Sequence, residues 1–388
     1  MTKSRKIRVG LIMAEYFGAI GTGYGGYGML ARHYVAKYIP NDEIEVEVLL
    51  CRQEGKFRHP FAKKHLVDGI PVYQPPSAFW CRQWLDHQNY DVYCGIEISN
   101  DIIKYEKPWR KRRLIHWIQD PRPWREWQEI NTVSLFREPC YWNSRLYDLV
   151  NRFFQNQKIR FISQGYFLND CAKELYRLNF DTEIQYVPNP VEIDDCFDIE
   201  NHPKKNQIIF LGRIESVKRG WLFCEIAKRM PEYEFYVIGQ TLQGKEKMKA
   251  ILVPYQSLSN LHFTGHLEGE EKNRLLKDSK ILVNTSIHEA LPVSFLESLS
   301  YGTLLVSCRD PEGLTSKFGV YVGQVLGDGF DKVGLFVDGI RKIISNEEQR
   351  KETARRAIAY IKEIHSIKCF QDTMRTIVKE EAQKHRKA

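Results

Sequence analysis

Two glutamates separated by seven residues stand in the stretch His288-Glu289-Ala290-Leu291-Pro292-Val293-Ser294-Phe295-Leu296-Glu297. Carboxylates of this kind can accept hydrogen bonds from the hydroxyls of a sugar and a ribose. The β-branched run Lys280 to Asn284 ahead of them reads as a buried parallel strand, and Leu304 to Ser307 behind them reads as the next one. Pro292 suits the first position of the helix between the strands, where its missing N–H would have no partner. Glu289 then lies in the loop before the helix and Glu297 just over one turn inside it. The free N–H groups at this N-terminus, those of Leu291 and Val293 on either side of Pro292, with the helix dipole behind them, form a site for a phosphate or diphosphate.

A second stretch supplies cations. Asn206 to Leu211 reads as a strand that ends in Gly212-Arg213; after four intervening residues come Lys218 and Arg219, then Gly220 and a helix through Ile226 and Met230. Glu234 to Gln240 is a further strand, ending at Gly239.

These two stretches together resemble the retaining glycosyltransferases of family 4 (glycosyl transferases group 1). The family's signature of a Ser, two Glu separated by seven residues and a following Gly-Thr stands here as Ser286, Glu289, Glu297 and Gly302-Thr303. Leu304 departs from it, standing where the family usually has Pro. The resemblance implies a GT-B fold, two facing Rossmann-like α/β domains with a cleft between them and a C-terminal helix crossing back to the first domain. It further implies that Arg213 and Lys218 neutralise the diphosphate that gains charge as the glycosidic bond breaks, with no metal needed. Arg219, inserted before the usual glycine, leaves open whether Lys218 or Arg219 makes that contact. Glu297 would hold the ribose, Glu289 the sugar, and Gly212 and Gly239 the nucleotide-facing edge. The implied donor is a nucleoside-diphosphate sugar, and the acceptor a glycan, a lipid-linked glycan or another hydroxyl compound.

The first half of the chain has to supply the acceptor side. Lys6 to Met13 is a strand followed by a glycine-dense loop, in which Gly21, Gly23 and Gly26 spell Gly-x-Gly-x-x-Gly, and by a helix that stops before Pro40. A dinucleotide dehydrogenase is disfavoured because the glycines lie several residues beyond the strand, and because the strand Glu45 to Leu50 ends at Cys51-Arg52 with no acid for a ribose. Gly23, Gly25, Gly26 and Tyr27 instead resemble the family's acceptor and phosphate loop. Further strands are Asp91 to Ile96, Arg113 to Asp120 and Arg160 to Gln164, with helices at Ser77 to Gln88, Tyr141 to Gln155 and Leu168 to Leu178. Loops at the carboxyl ends of parallel strands form the ligand crevice of open α/β sheets. His116, Gln119 and Asp120 are therefore candidates for the active-site edge, His116 having the alternative of a strand-buried histidine. The aromatic loop Pro121 to Trp127 joins them as acceptor-facing.

Pro-rich and acidic residues place a boundary near 190 to 205, giving an acceptor domain 1–190, a nucleotide-sugar domain 191–365 and a final helix 366–388 with a frayed tail. With 388 residues, two domains are expected. Nine scattered cysteines without a Cys-x-x-Cys pair fit free thiols in a cytoplasmic protein. No apolar run approaches a membrane span, while the net charge of +8 is compatible with peripheral contact at an anionic membrane. No nucleic-acid module and no Asp-x-Asp metal pair occur, so neither nucleic acid nor a metal is expected. A nucleotide-sugar epimerase, or a glycan-binding protein without activity, is the competing reading.

Overall fold

The computed structural model describes residues 5–50, 60–97, 104, 112–137, 139–241 and 245–387. Cys51 and Arg52 lie outside these residues. The chain divides into two compact units, one comprising Met1–Pro121, Trp142–Pro190 and Ile367–Ala388, the other Arg122–Tyr141 and Val191–Ser366.

In the first unit the strands are β1 (Ile7–Met13), β2 (Ile44–Leu50), β3 (Lys63–Val67), β4 (Ile70–Gln74), β5 (Val92–Ile96), β6 (Arg113–Ile118), β7 (Ile159–Ser163) and β8 (Gln185–Tyr186). They form one sheet in the order β3-β4-β2-β1-β5-β6-β7-β8, parallel throughout except for the antiparallel edge strand β3. β5 and most of β6 are buried, as expected of strands covered on both faces. The helix after the glycine loop runs from Gly26 to Tyr38 and opens into a wide π-turn over Leu30–Val35.

The last helix, Ile367–Lys387, packs on this sheet and continues from Lys384 to Lys387, where a frayed tail was expected. Phe370 stacks on Trp117 of β6 at 5.4 Å. Arg375 donates to the carbonyls of Tyr38 and Ile39 at 2.7 and 3.1 Å, placing a cation on the carbonyl-rich end of the Gly26–Tyr38 helix. Arg113 and Arg160 pair with Glu381 and Glu380.

The second unit is wholly parallel: β9 (Gln207–Leu211), β10 (Glu234–Ile238), β11 (Leu261–Gly265), β12 (Ile281–Asn284), β13 (Leu304–Ser307) and β14 (Gly319–Tyr321), in the order β11-β10-β9-β12-β13-β14. Alternate strand residues serve opposite faces. Ile208, Phe210, Ile281, Val283, Leu304 and Val306 pack in one core and Ile209, Leu282 and Leu305 in the other, the period of two that a strand imposes. Each buried aliphatic side chain contributes roughly 1.5–3 kcal/mol.

Residues 122–141 belong to this second unit, although a domain boundary near 190 would have left them in the first. The reason is apolar. The helix Trp124–Ile130 puts Trp127 and Ile130, three residues apart on one face, with Val133 into the same core as Phe210 and Trp221.

Candidate functional site

Side chains with chemistry gather at the carboxyl ends of both sheets. In the second unit, β9 ends at Leu211 and the chain turns through Gly212 to Arg219 before the helix Gly220–Arg229. The Gly212 N–H donates to the Ile238 carbonyl at 3.0 Å. Gly239 has φ +148° and passes so close that a Cβ there would collide with the Gly212 carbonyl. Glycine at 239 is therefore a demand of backbone approach.

The two cations left open by sequence separate clearly. Arg219 is fully buried and left-handed, and its guanidinium donates to the carbonyls of Thr285 (2.7 Å), Val325 (2.9 Å) and Gly327 (2.8 Å). It ties three loops together. Lys218 is partly exposed and its ammonium lies 2.5 Å from Glu289. Arg213 is more exposed still, 3.4 Å from the buried carboxylate of Glu215.

The helix that carries Glu297 spans Val293–Ser300, so Pro292 is the residue that caps it, one position earlier than sequence suggested. Its first N–H groups have no carbonyl within the helix to bond. Its other end closes on Gly302, at φ +67°, with N–H bonds from Gly302 to Leu299 and from Thr303 to Ser298, both 3.0 Å. Lys204, half-buried, donates to the Tyr301 carbonyl and the Thr303 hydroxyl at 2.7 and 2.9 Å. The Gly-Thr pair of the signature thus caps and anchors the helix. Leu304 begins β13, where its N–H donates to the Lys280 carbonyl, and is not a turn residue.

Three donors converge on Glu289 Oε1: Lys218 (2.5 Å), Ser286 (2.6 Å) and Asn284 (2.9 Å). Burial pushes this carboxyl up, but the Lys218 charge and the three hydrogen bonds outweigh it and hold the group below the ordinary carboxylate range. Glu297 pairs with Lys272 at 2.7 Å, a partner from the helix Gly269–Asp278 that no spacing announced. His288 bonds Glu126 at 3.0 Å, and that hydrogen bond holds the Glu126 carboxyl low. The loop around Glu126, expected to face acceptor from the first domain, is fastened to the second unit beside Glu289.

In the first unit the glycine loop encloses a carboxylate of its own. The Gly28 N–H donates to Glu15 Oε1 at 3.3 Å, and a Cβ at Gly25 would collide with the same carboxylate. Gly23 and Gly25 therefore make room for Glu15, and a phosphate would meet that negative charge. Gly26 is the first residue of the helix that follows, and Tyr27 the second.

His116 is fully buried, its Nε2 3.2 Å from the Tyr176 hydroxyl, and burial lowers its pKa to about 3. A neutral structural histidine results. Sequence missed Glu97, which follows β5 at φ +40°. Its carboxylate accepts from the Tyr176 hydroxyl (2.6 Å) and from the N–H groups of Gln119 (3.0 Å) and Asp120 (2.7 Å), and burial raises its pKa. Gln119 is buried as well, its amide exchanging hydrogen bonds of 3.0 and 3.1 Å with Asn189, which also donates to Gln164. The structure therefore gathers Gln119, Asp120 and Glu97 at one corner of the first sheet, and Arg213, Lys218, Glu289, Glu297 and the Leu291–Val293 tip at the carboxyl end of the second. Among the described residues no group of three or more His, Cys, Asp or Glu could hold a metal ion, and no helix is long and apolar enough to cross a membrane.

Two α/β units built on mainly parallel sheets give the chain a fold like that of the GT-B glycosyltransferases. Residues 192–360 match the family model described as glycosyl transferases group 1. Solved structures share the fold at low identity. Sucrose-phosphate synthase from Thermosynechococcus elongatus is 9% identical with a TM-score of 0.68, over 97% of this chain and 99% of that one. HepE from Anabaena in complex with UDP is 12% identical with a TM-score of 0.64, over 96% and 100%. The pneumococcal O-GlcNAc transferase GtfA, in complex with UDP and GlcNAc, is 14% identical with a TM-score of 0.58, over 82% and 69%. No curated protein sequence matches the chain.

Proposed function

We propose that the protein is a retaining, metal-independent glycosyltransferase that moves a hexosyl or deoxyhexosyl group from a nucleoside-diphosphate sugar to a hydroxyl of a glycan or lipid-linked acceptor. The observation that carries this reading is the Lys218–Glu289 pair beside a helix N-terminus at the carboxyl ends of β9 and β12. A diphosphate arriving there would draw Lys218 and Arg213 to itself and accept hydrogen bonds from the N–H groups of Leu291 and Val293. Glu289, with three donors already on Oε1, offers Oε2 to a hydroxyl of the transferred sugar. Glu297 exchanges Lys272 for the ribose hydroxyls.

Charge developing on the leaving diphosphate is met by fixed cations and dipoles, the arrangement that lowers a barrier most because it needs no reorganisation at the moment of reaction. Among the described residues no carboxylate stands out as a nucleophile, since both glutamates hold hydroxyls. The leaving phosphate therefore takes the acceptor proton as the new bond forms on the face it vacates, which retains configuration. The complexes of HepE with UDP and of GtfA with UDP and GlcNAc support a uridine donor as the first to try. The acceptor falls to the first unit, at the Gln119–Asp120 corner, and the excess of basic residues suits work beside anionic lipid in the cytoplasm.

The test is transfer from UDP-, GDP- and dTDP-sugars, in EDTA and in magnesium, with product configuration read by proton NMR. Retained configuration and full activity in EDTA are expected. Inverted product contradicts the mechanism, and no release of nucleoside diphosphate from any donor points to a glycan-binding protein instead.

A further inference from the structure

We propose that Tyr166 and Tyr186, stacked at the carboxyl corner of the first sheet, form a subsite for a pyranose ring of the acceptor; calling the ligand an acceptor rests on the reading above. Tyr186 ends β8 opposite Ser163, the last residue of β7, and Tyr166 opens the short turn Tyr166–Leu168 that follows. Their rings lie 4.6 Å apart at 20° to each other. Tyr166 is 62% exposed, so one face of its ring is covered by Tyr186 while the rest meets solvent. It contributes little to the core in that position.

What lies beneath gives the pair a fixed place. Gln164, two residues before Tyr166, and Asn189, three after Tyr186, belong to the buried amide network with Gln119. A polar network whose members satisfy one another holds its geometry more firmly than apolar packing alone. The two tyrosine-bearing loops are thereby tied to the strand end that presents Asp120. With strands about 4.8 Å apart, β8 stands about 10 Å from β6 along the same edge.

The chemistry of this surface suits a sugar. A pyranose presents a face of C–H groups that packs on the electron-rich face of an aromatic ring, while its hydroxyls stay at the rim for water or polar groups. Stacking of this kind holds a ring in place without touching the reacting centre. It should therefore act on acceptor KM and leave donor binding alone.

The experiment is saturation-transfer NMR on the full chain with methyl β-D-glucopyranoside, methyl α-D-mannopyranoside and cellobiose, alongside the melting-temperature response to UDP, GDP and dTDP. Saturation of C–H protons on one ring face is expected with at least one of these probes, falling fivefold or more in Tyr166→Ala and persisting in Tyr166→Phe and Tyr166→Trp. The nucleotide response should be equal in all four proteins, which also reports that each is folded. Unchanged transfer in Tyr166→Ala, or no transfer from any probe in the unmodified protein, overturns the subsite. A missing nucleotide response with transfer intact overturns the donor reading and leaves the subsite standing.

Discussion

The carboxyl ends of the two sheets are made of different materials. The second unit presents formal charges in pairs, Lys218 with Glu289, Lys272 with Glu297 and Arg213 with Glu215. The first presents a buried amide cluster and a neutral histidine, with Glu97 fixed by a tyrosine and two main-chain N–H groups. Such a contrast fits a division of labour. Coulombic groups serve where a ligand's charge changes during reaction, and neutral hydrogen-bonding groups serve where only hydroxyls are placed.

The sharpest way to break the comparison is within one tripeptide of the second unit. Lys218→Ala should lower kcat/KM by on the order of 10²–10³, the usual cost of one donor to a developing anion. Arg219→Met should act on stability, because charge-assisted hydrogen bonds are worth about 1.5–3 kcal/mol each and three carbonyls lose theirs. Urea denaturation should show a loss of roughly 3 kcal/mol or more for Arg219→Met. A stable Arg219→Met protein with activity lost would reverse the two roles.

Next in size is the response to acid. The depressed His116 pKa, about 3 against 6.5, means that the unfolded chain takes up a proton the folded one refuses. Stability from this group is complete above pH 6.5 and is lost as pH falls toward 3, at up to about 1.4 kcal/mol per pH unit. Glu97, raised, has the opposite sign, since protonation favours the folded state and its contribution is lost as pH rises through its folded value. Glu289, lowered, contributes above its unfolded value of 4.5 and fails only as pH falls through its folded one. Denaturation between pH 7 and 4 should therefore show a slope that His116→Phe flattens and Glu97→Gln steepens, with Glu289→Gln changing only the acid end.

The smallest effect concerns the departure from the family signature. Leu304→Pro removes one strand hydrogen bond, to Lys280, and part of a buried core side chain, and should cost about 2 kcal/mol while leaving kcat unchanged. A large loss of activity would make residue 304 part of the site.

Much of the second unit could be read from the chain because its candidate site is local. Glu289, the helix tip and Glu297 fall within one strand-loop-helix passage, and Arg213 and Lys218 within another. What escaped was tertiary. Lys272 reaches Glu297 from a different helix, and Glu97 is a lone acid after a strand that gains meaning only when β5 lies beside β6. The glycine loop resembled a phosphate cradle because spacing cannot show that Glu15 folds back into it. Residues 122–141 followed the first domain in sequence, yet the three-residue spacing of Trp127 and Ile130 already described an apolar helix face in need of a core, which the second unit provides.

The central claim is that a diphosphate sits between the cations of residues 213 and 218 and the helix beginning at Val293. A crystal soaked with UDP, and then with GDP or dTDP, tests it most directly. The account predicts diphosphate oxygens within hydrogen-bonding distance of Arg213, Lys218 and the N–H groups of Leu291 and Val293, with Lys218 drawn off Glu289. A nucleotide bound elsewhere, with the Lys218–Glu289 pair undisturbed, would contradict it.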